Sequence, residues 1–351
     1  MDTFLLVPLL ALVITVVTTP VTMWLARRWQ LDHPPTRPRD VHTRAVPRSG
    51  GMAMVAGFVA AVGLGLALPV ARTDPLELTR VAGLLLGSVV ALAAGWIDDR
   101  WELGPGPQFA AQFLLAAIAI GTTIFIKHVN NPFGSGFLWH PTAGFPLWIV
   151  VPLTAAWFVG TMNTVNWLDG LDGLAAGVAA IASAVFAIHM LRLGQVSVAL
   201  LPLALLGATV GFLPFNFNPA RSFMGSTGSL FLGYALAALA IIAGAKVASL
   251  LLVLAVPILD AAWLVVSRLR HGHNPMRGGR DHLHYRLYDA GLSQRQVVLG
   301  YWVVTAFFGA LALLLPARIY KLYALLLAAG LALVILWALA QRPTGKYETG
   351  D

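Results

Sequence analysis

Residues 3–26 read TFLLVPLLALVITVVTTPVTMWLA and run straight into Arg27-Arg28. At ~1.5 Å per residue, a helix of this length crosses the ~30 Å of a bilayer's hydrocarbon core. No charge interrupts the run, and the paired arginines place its end at a membrane surface. A cleavable signal peptide is not expected here: no basic stretch precedes the run, it is too long, and arginines follow it instead of small residues. Comparable apolar segments recur over 51–71, 81–97, 107–127, 147–164, 173–192, 197–215, 227–243, 246–270, 296–315 and 319–341. The expected fold is therefore all-α: a polytopic integral membrane protein of about eleven transmembrane helices, with one domain over 1–341 and a short tail over 342–351.

Composition points the same way. Hydrophobic residues make up 58% of the chain and charged residues 11%, and the mean hydropathy is +0.77. A soluble fold cannot bury that much apolar surface, whereas lipid covers it. With no cysteine there is no disulfide scaffold and no thiolate metal site. The formal charge of +8 does not imply a nucleic-acid partner, because the basic residues sit in short loops between spans. Anionic lipid headgroups and phosphate-bearing substrates explain them better.

Loop charges set the orientation. Alternate loops hold Arg72, Arg80, Lys127, Arg192, Lys246, Arg318 and Lys321, seven of the 23 basic residues, and the opposite face holds the other sixteen. The N-terminus is expected outside, with the richer loops and the C-terminus in the cytoplasm. Of the fifteen acidic residues only Asp2, Asp74 and Glu77 fall outside; Asp260 lies within a span and the remaining eleven are cytoplasmic. A transporter with a midplane site would carry ionisable groups deep in its spans. Polar groups gathered at helix ends on one side fit a surface active site instead.

Five cytoplasmic segments carry candidate chemistry. Gly95-Trp96-Ile97-Asp98-Asp99-Arg100-Trp101-Glu102 closes the third span, and adjacent carboxylates there need a cation or a shared proton. Mg²⁺ is the usual cation, although a solvated helix end paired with Arg100 is the plain alternative. In Asn163–Leu174, Asn166, Asp169 and Asp172 stand three apart, so a helical turn would put them on one face. Helix capping accounts for one Asp there, but poorly for two Asp with two Asn. Phe215–Ser229 is rich in Gly, Ser and Thr just before span eight and offers backbone N–H groups to an anion; capping by Ser226 or Thr227 is the alternative. His282 and His284, in Gly278–Leu287, are two residues apart, and meet one ligand only on extended or irregular backbone. With no convincing third ligand, zinc is not expected and phosphate contact is. His42–Gly51 reads first as a basic membrane anchor. Asp260 lies ~21 Å beyond Lys246 along its span, either packing between helices or lining a cleft.

Taken together, His42-Thr43-Arg44 with Pro47–Gly51, Asp98-Asp99, Asn166-x-x-Asp169-Gly-x-Asp172-Gly, Phe223-Met224-Gly225 and Asp281-His282-Leu283-His284 resemble the polyprenyl-phosphate N-acetylhexosamine-1-phosphate transferase family. The resemblance covers nearly the whole chain. It implies transfer of a sugar-1-phosphate from a UDP-N-acetylhexosamine to undecaprenyl or another polyprenyl phosphate, with release of UMP, as a first membrane step of envelope glycan synthesis. It further implies Mg²⁺, with Mn²⁺ as the alternative, a homodimer, and a multi-pass plasma-membrane protein with its active site facing the cytoplasm. Asp98 would orient or deprotonate the lipid phosphate, Asp99 and Asn166 would serve Mg²⁺, and position 226 would complete the metal set. Asp169 and Asp172 would face the metal-diphosphate and the nucleoside. Arg48, Arg221, Arg280, His282, His284 and Arg286 would hold phosphates. The spaced His282-x-His284 resembles the UDP-GlcNAc branch; the UDP-MurNAc-pentapeptide branch usually carries three successive histidines.

Three positions depart from the family. Ser226 stands where an acidic ligand is usual, Gln108 where a lysine opens span four, and Tyr285 where a further histidine often follows. Losing one negative and one positive group leaves the net charge unchanged. Such a site is that of a diverged working centre, an impaired enzyme, an engineered variant, or a non-catalytic lipid-phosphate or nucleotide-sugar binding paralogue.

Overall fold

The computed structural model describes residues 2–30, 32–35, 44–134, 136–140, 142–242, 247–270, 272, 279, 281–315 and 318–340. His42, Thr43, Arg280 and the tail 342–351 lie outside them. The first helices are α1 (Asp2–Arg28), α2 (Gly50–Ala67), α3 (Glu77–Trp101) and α4 (Pro105–Gly121). Next come α5 (Leu147–Leu168), α6 (Leu174–Arg192), α7 (Val196–Asn216) and α8 (Gly225–Ile242). The chain continues through α9 (Val247–Val253), α10 (Ala255–Arg270), α11 (Leu283–Asp289), α12 (Gln294–Leu314) and α13 (Arg318–Ala340). One short antiparallel pair, β1 (Asp32–His33) with β2 (Val46–Pro47), ties the segment after α1 to the segment before α2.

Among the described residues eight helices are long and apolar enough to cross a membrane: α1, α2, α3, α5, α6, α7, α8 and α12. The other expected spans take different forms. Segment 107–127 becomes α4, which is 17 residues long. Segment 246–270 is broken between α9 and α10 instead of running as one helix, and segment 319–341 corresponds to α13.

Helix α8 is the axis of the bundle. Every residue of it except Ser226 is buried, as expected of a helix that is apolar all round. Helices α2, α3 and α5 pack against it, and small residues let the backbones close up. A Cβ on Gly95 of α3 would lie 2.3 Å from Thr227 Cα, and one on Gly51 of α2 would lie 2.3 Å from Gly228 N. The outer helices do the reverse. On α1, Leu5, Leu9, Val13, Val17 and Val21 form an exposed stripe spaced four apart, an apolar face of the kind lipid covers.

Candidate active site

Asp99 sits in the last turn of α3 and is buried. Its Oδ1 accepts the Ser226 backbone N–H at 2.8 Å. Its Oδ2 accepts the Thr227 N–H at 3.0 Å and the Thr227 hydroxyl at 2.8 Å. A carboxylate from one helix thus caps another, satisfying its first amides and facing the positive end of its dipole. Neither Ser226 nor Thr227 is the N-cap expected from sequence; the cap comes from far along the chain. Gly225 makes this possible. Its φ is +67, and a Cβ there would fall 2.5 Å from Asp99 Oδ2.

Asp98 is buried beside it. Its Oδ1 accepts the Leu103 N–H at 3.0 Å and the Gln108 amide at 2.9 Å. Glu102, with φ 47, ends α3 and turns the chain back so that Leu103 and Gln108 reach this oxygen. Gln108, seen in the sequence only as a missing lysine, is therefore a direct partner of Asp98. Among the described residues Asp98 Oδ2 has no partner.

The helical alignment expected for Asn166, Asp169 and Asp172 does not occur, because α5 stops at Leu168 and α6 starts at Leu174. Gly173, at φ +84, turns the backbone between them, and its N–H is held by Asn216 Oδ1 at 3.0 Å. The three side chains consequently diverge. Asn166 donates its amide to Ser229 Oγ at 2.8 Å, which leaves its carbonyl oxygen available. Asp169 is half-buried and has no side-chain partner among the described residues. Desolvation by burial first, then the charges of Asp99 and Asp172, push its carboxyl well above the ordinary range against the pull of Arg48. Asp172 points elsewhere, its Oδ2 accepting Asn218 Nδ2 and Ala220 N–H, both at 3.0 Å.

Arg48 is brought in by backbone pairing between the segment before α2 and the segment before α8. The Phe223 N–H donates to Pro47 O at 2.9 Å, and the Gly50 N–H to Phe223 O at 2.9 Å. Its guanidinium lies 3.7 Å from Glu102 Oε1 and offsets part of the charge on Asp99 and Asp169. Arg221 is exposed, donates to Pro214 O at 2.9 Å and lies over the Phe215 ring. Arg286 donates to Asp281 O at 2.8 Å.

His282 caps α11 on extended backbone and His284 lies in its first turn. This irregular entry stacks the two rings, with centroids 5.5 Å apart and planes 8° from parallel. His282 also sits 5.8 Å from the Trp167 ring at the end of α5. His284 is buried, and among the described residues neither of its ring nitrogens has a partner. Its Nε2 rests against Gly170, where a Cβ would approach to 2.4 Å. Burial first, then the neighbouring His282, hold its pKa well below the ordinary histidine value.

Carboxylates at the opposite end of the bundle look different. Glu77 is buried but accepts Ser197 Oγ at 2.7 Å and lies 3.4 Å from Arg72, while Asp74 pairs with Arg80. Among the described residues Asp98, Asp99 and Asp169 are in no ion pair of that kind, which makes their end the candidate site. Among the described residues no three His, Asp or Glu side chains close into a metal cage. A hard divalent cation does not require one, since it is held by one or two carboxylates together with waters and phosphate oxygens. Asp99, Asp169 and the Asn166 carbonyl supply oxygen donors of that kind, and the Ser226 hydroxyl stands at the α8 entrance. The donor set fits.

These features define a polytopic membrane protein with carboxylates gathered at one end of a helical bundle. Residues 81–244 match the family described as Glycosyl transferase family 4. Over 317 residues, 88% of this chain and 84% of the other, the sequence is 31% identical to a probable undecaprenyl-phosphate N-acetylglucosaminyl 1-phosphate transferase of Bacillus subtilis. It is 36% identical over 330 residues to a decaprenyl-phosphate N-acetylglucosaminephosphotransferase of Mycobacterium tuberculosis, covering 87% of this chain and 81% of that one. A phospho-N-acetylmuramoyl-pentapeptide-transferase of Halalkalibacterium halodurans is 31% identical over 333 residues, 90% of this chain and 98% of that one. The chain belongs to glycosyl transferase family 4, in line with the resemblance carried by its motifs.

Proposed function

We propose that this protein transfers N-acetylglucosamine-1-phosphate from UDP-GlcNAc to undecaprenyl or a related polyprenyl phosphate, releasing UMP. The observation that carries this reading is the set of incompletely neutralised carboxylates, Asp98, Asp99 and Asp169, around the N-terminus of α8. The B. subtilis and M. tuberculosis relatives, named for the same transfer, support it. We read the molecule as eleven spans forming one domain over 1–341, with α4, α9 plus α10, and α13 completing the set. Its N-terminus lies outside, and its C-terminus and site lie on the cytoplasmic face of the plasma membrane. A homodimer is part of this reading.

In the reaction, an oxygen of the lipid phosphate attacks the β phosphorus of the UDP-sugar. The bond from that phosphorus to the bridging oxygen breaks, and UMP leaves. Phosphoryl transfer needs alignment and charge neutralisation more than covalent help from the protein. The polyprenyl tail stays in lipid while Asp98, held on one oxygen by Gln108 and Leu103, presents the other to the lipid phosphate. Asp99, Asp169 and Asn166, with the Ser226 hydroxyl, would hold Mg²⁺ or Mn²⁺, which supplies charge neutralisation on the diphosphate when bound. His282 and His284 line the same end as diphosphate contacts, with Arg48 as the nearby cation; Arg280 and Arg286, on either side of the two histidines in sequence, are read as further phosphate contacts. Asp172 and Arg221 act through the loops they brace.

The test incubates purified protein with UDP-[³H]GlcNAc, undecaprenyl phosphate and Mg²⁺ and counts label extracted into lipid. Labelled lipid that disappears with chelator is expected. UDP-sugar binding without any lipid product would identify a binding paralogue instead. Preference for UDP-MurNAc-pentapeptide in a parallel reaction would move the chain to the peptidoglycan branch.

A further inference from the structure

Asp260 is a carboxylate that the reading above does not use. It sits on α10 and is buried. Its Oδ1 accepts the Leu283 backbone N–H at 2.8 Å, and its Oδ2 lies 2.9 Å from His282 Nδ1. The first contact caps the first turn of α11, whose own N-cap residue, His282, makes no side-chain cap. The second fixes the imidazole. A carboxylate accepting at this contact calls for the ring proton on Nδ1, which leaves Nε2 as the atom for the site.

A neutral ring held this way presents a lone pair to any diphosphate oxygen, and two acceptors repel. One further proton, on Nε2, removes the conflict. The ring then donates at both nitrogens and lies between two anions, Asp260 and the diphosphate. We propose that Asp260 is a positioning residue that makes His282 a proton-coupled diphosphate clamp. Binding the UDP-sugar draws one proton from solvent onto His282 Nε2, and release of UMP returns it. This rests on the site reading above.

Other ionisable groups around the couple are accounted for. His284 stacks on His282 from α11, and burial keeps it neutral. Tyr301 faces Asp260 from α12. Asp281 lies next in sequence to His282 and is paired to Arg268 at 2.7 Å, with Arg286 on its carbonyl. In the Asp260–His282 pair a carboxylate holds one imidazole nitrogen and the other is turned away from it.

Calorimetric titration of UDP-GlcNAc into the full-length protein, without lipid acceptor and at saturating Mg²⁺, tests the proposal. At about pH 8, buffers of different ionisation enthalpy report the protons exchanged. The wild type is expected to take up roughly one proton per site beyond whatever His282→Gln takes up. Asp260→Asn forces the opposite ring tautomer through its amide and should match His282→Gln, while Asp260→Glu should retain the uptake. The asparagine variant is also expected to lose about 10- to 100-fold in kcat. A role for Asp260 confined to capping α11 would lower stability in Asp260→Asn without changing proton uptake, and that result overturns the proposal. Equal uptake in wild type and His282→Gln overturns it too, since the glutamine side chain does not titrate. If the wild type does not bind UDP-GlcNAc at all, the site reading fails first; binding and turnover without differential uptake sink the Asp260 inference alone.

Discussion

Gln108 shows how a residue read as a loss can be a working part. Its amide holds Asp98 Oδ1 at 2.9 Å and also donates to Leu103 O at 3.1 Å, so it orients the carboxylate where a lysine would have added charge. A hydrogen bond to a charged group contributes about 1.5–3 kcal/mol. Gln108→Ala is therefore expected to lower kcat/KM by roughly 10- to 100-fold with little change in Tm, checked by initial rates and thermal unfolding; unchanged kinetics would mean that Asp98 does not depend on this contact. His284 gives a prediction in pH. Its pKa is lowered in the folded protein and near ~6.5 in the unfolded chain, so the unfolded state binds the proton more readily. The stability it contributes is complete above pH ~6.5 and declines as pH falls below that value, by up to about 1.4 kcal/mol per pH unit. A Tm series from pH 7.5 down to 5.5 should fall less steeply in His284→Gln than in the wild type.

Element by element, what the sequence reveals is what is local. Uninterrupted apolar runs such as 3–26 and 197–215 declare α1 and α7, and glycines beside Asp169 and Asp172 declare a turn. The kind of turn is not visible, because Gly173 at φ +84 and its hydrogen bond to Asn216 end the helical spacing that the three-residue intervals suggest. The break between α9 and α10 is hidden for another reason: both pieces are apolar, so hydropathy runs on across it. The N-cap of α8 is beyond any local reading, since Asp99 reaches it from 127 residues away. Residue types at the site are legible, but pairings such as Asp99 with Thr227 or Asp260 with His282 depend on tertiary packing. Gly225→Ala probes the α3–α8 junction. A left-handed backbone costs an L-residue about 1–2 kcal/mol, and the added methyl would press on Asp99. A lower Tm together with a raised Mg²⁺ requirement is expected; a fall in Tm alone would separate the helix entrance from the metal site.

At the scale of the whole molecule, an enclosed α8 surrounded by lipid-facing helices carries the polar site at one end. The absence of native cysteine makes the topology directly measurable with single introduced thiols. A membrane-impermeant maleimide applied to intact cells should label His140→Cys and spare Arg221→Cys, with the pattern reversed in inverted vesicles. Labelling of both from one side would refute the proposed orientation. The central claim is that carboxylates gathered at the α8 entrance perform the transfer, and Asp99 joins the helix cap to the donor set. Its most direct test compares Asp99→Ala with wild type for tritium transfer from UDP-[³H]GlcNAc to undecaprenyl phosphate at saturating Mg²⁺, after circular dichroism has shown both to be folded. Loss of at least about three orders of magnitude in transfer is predicted, equivalent to about 4 kcal/mol of transition-state stabilisation. Turnover within a few-fold of wild type would contradict the account.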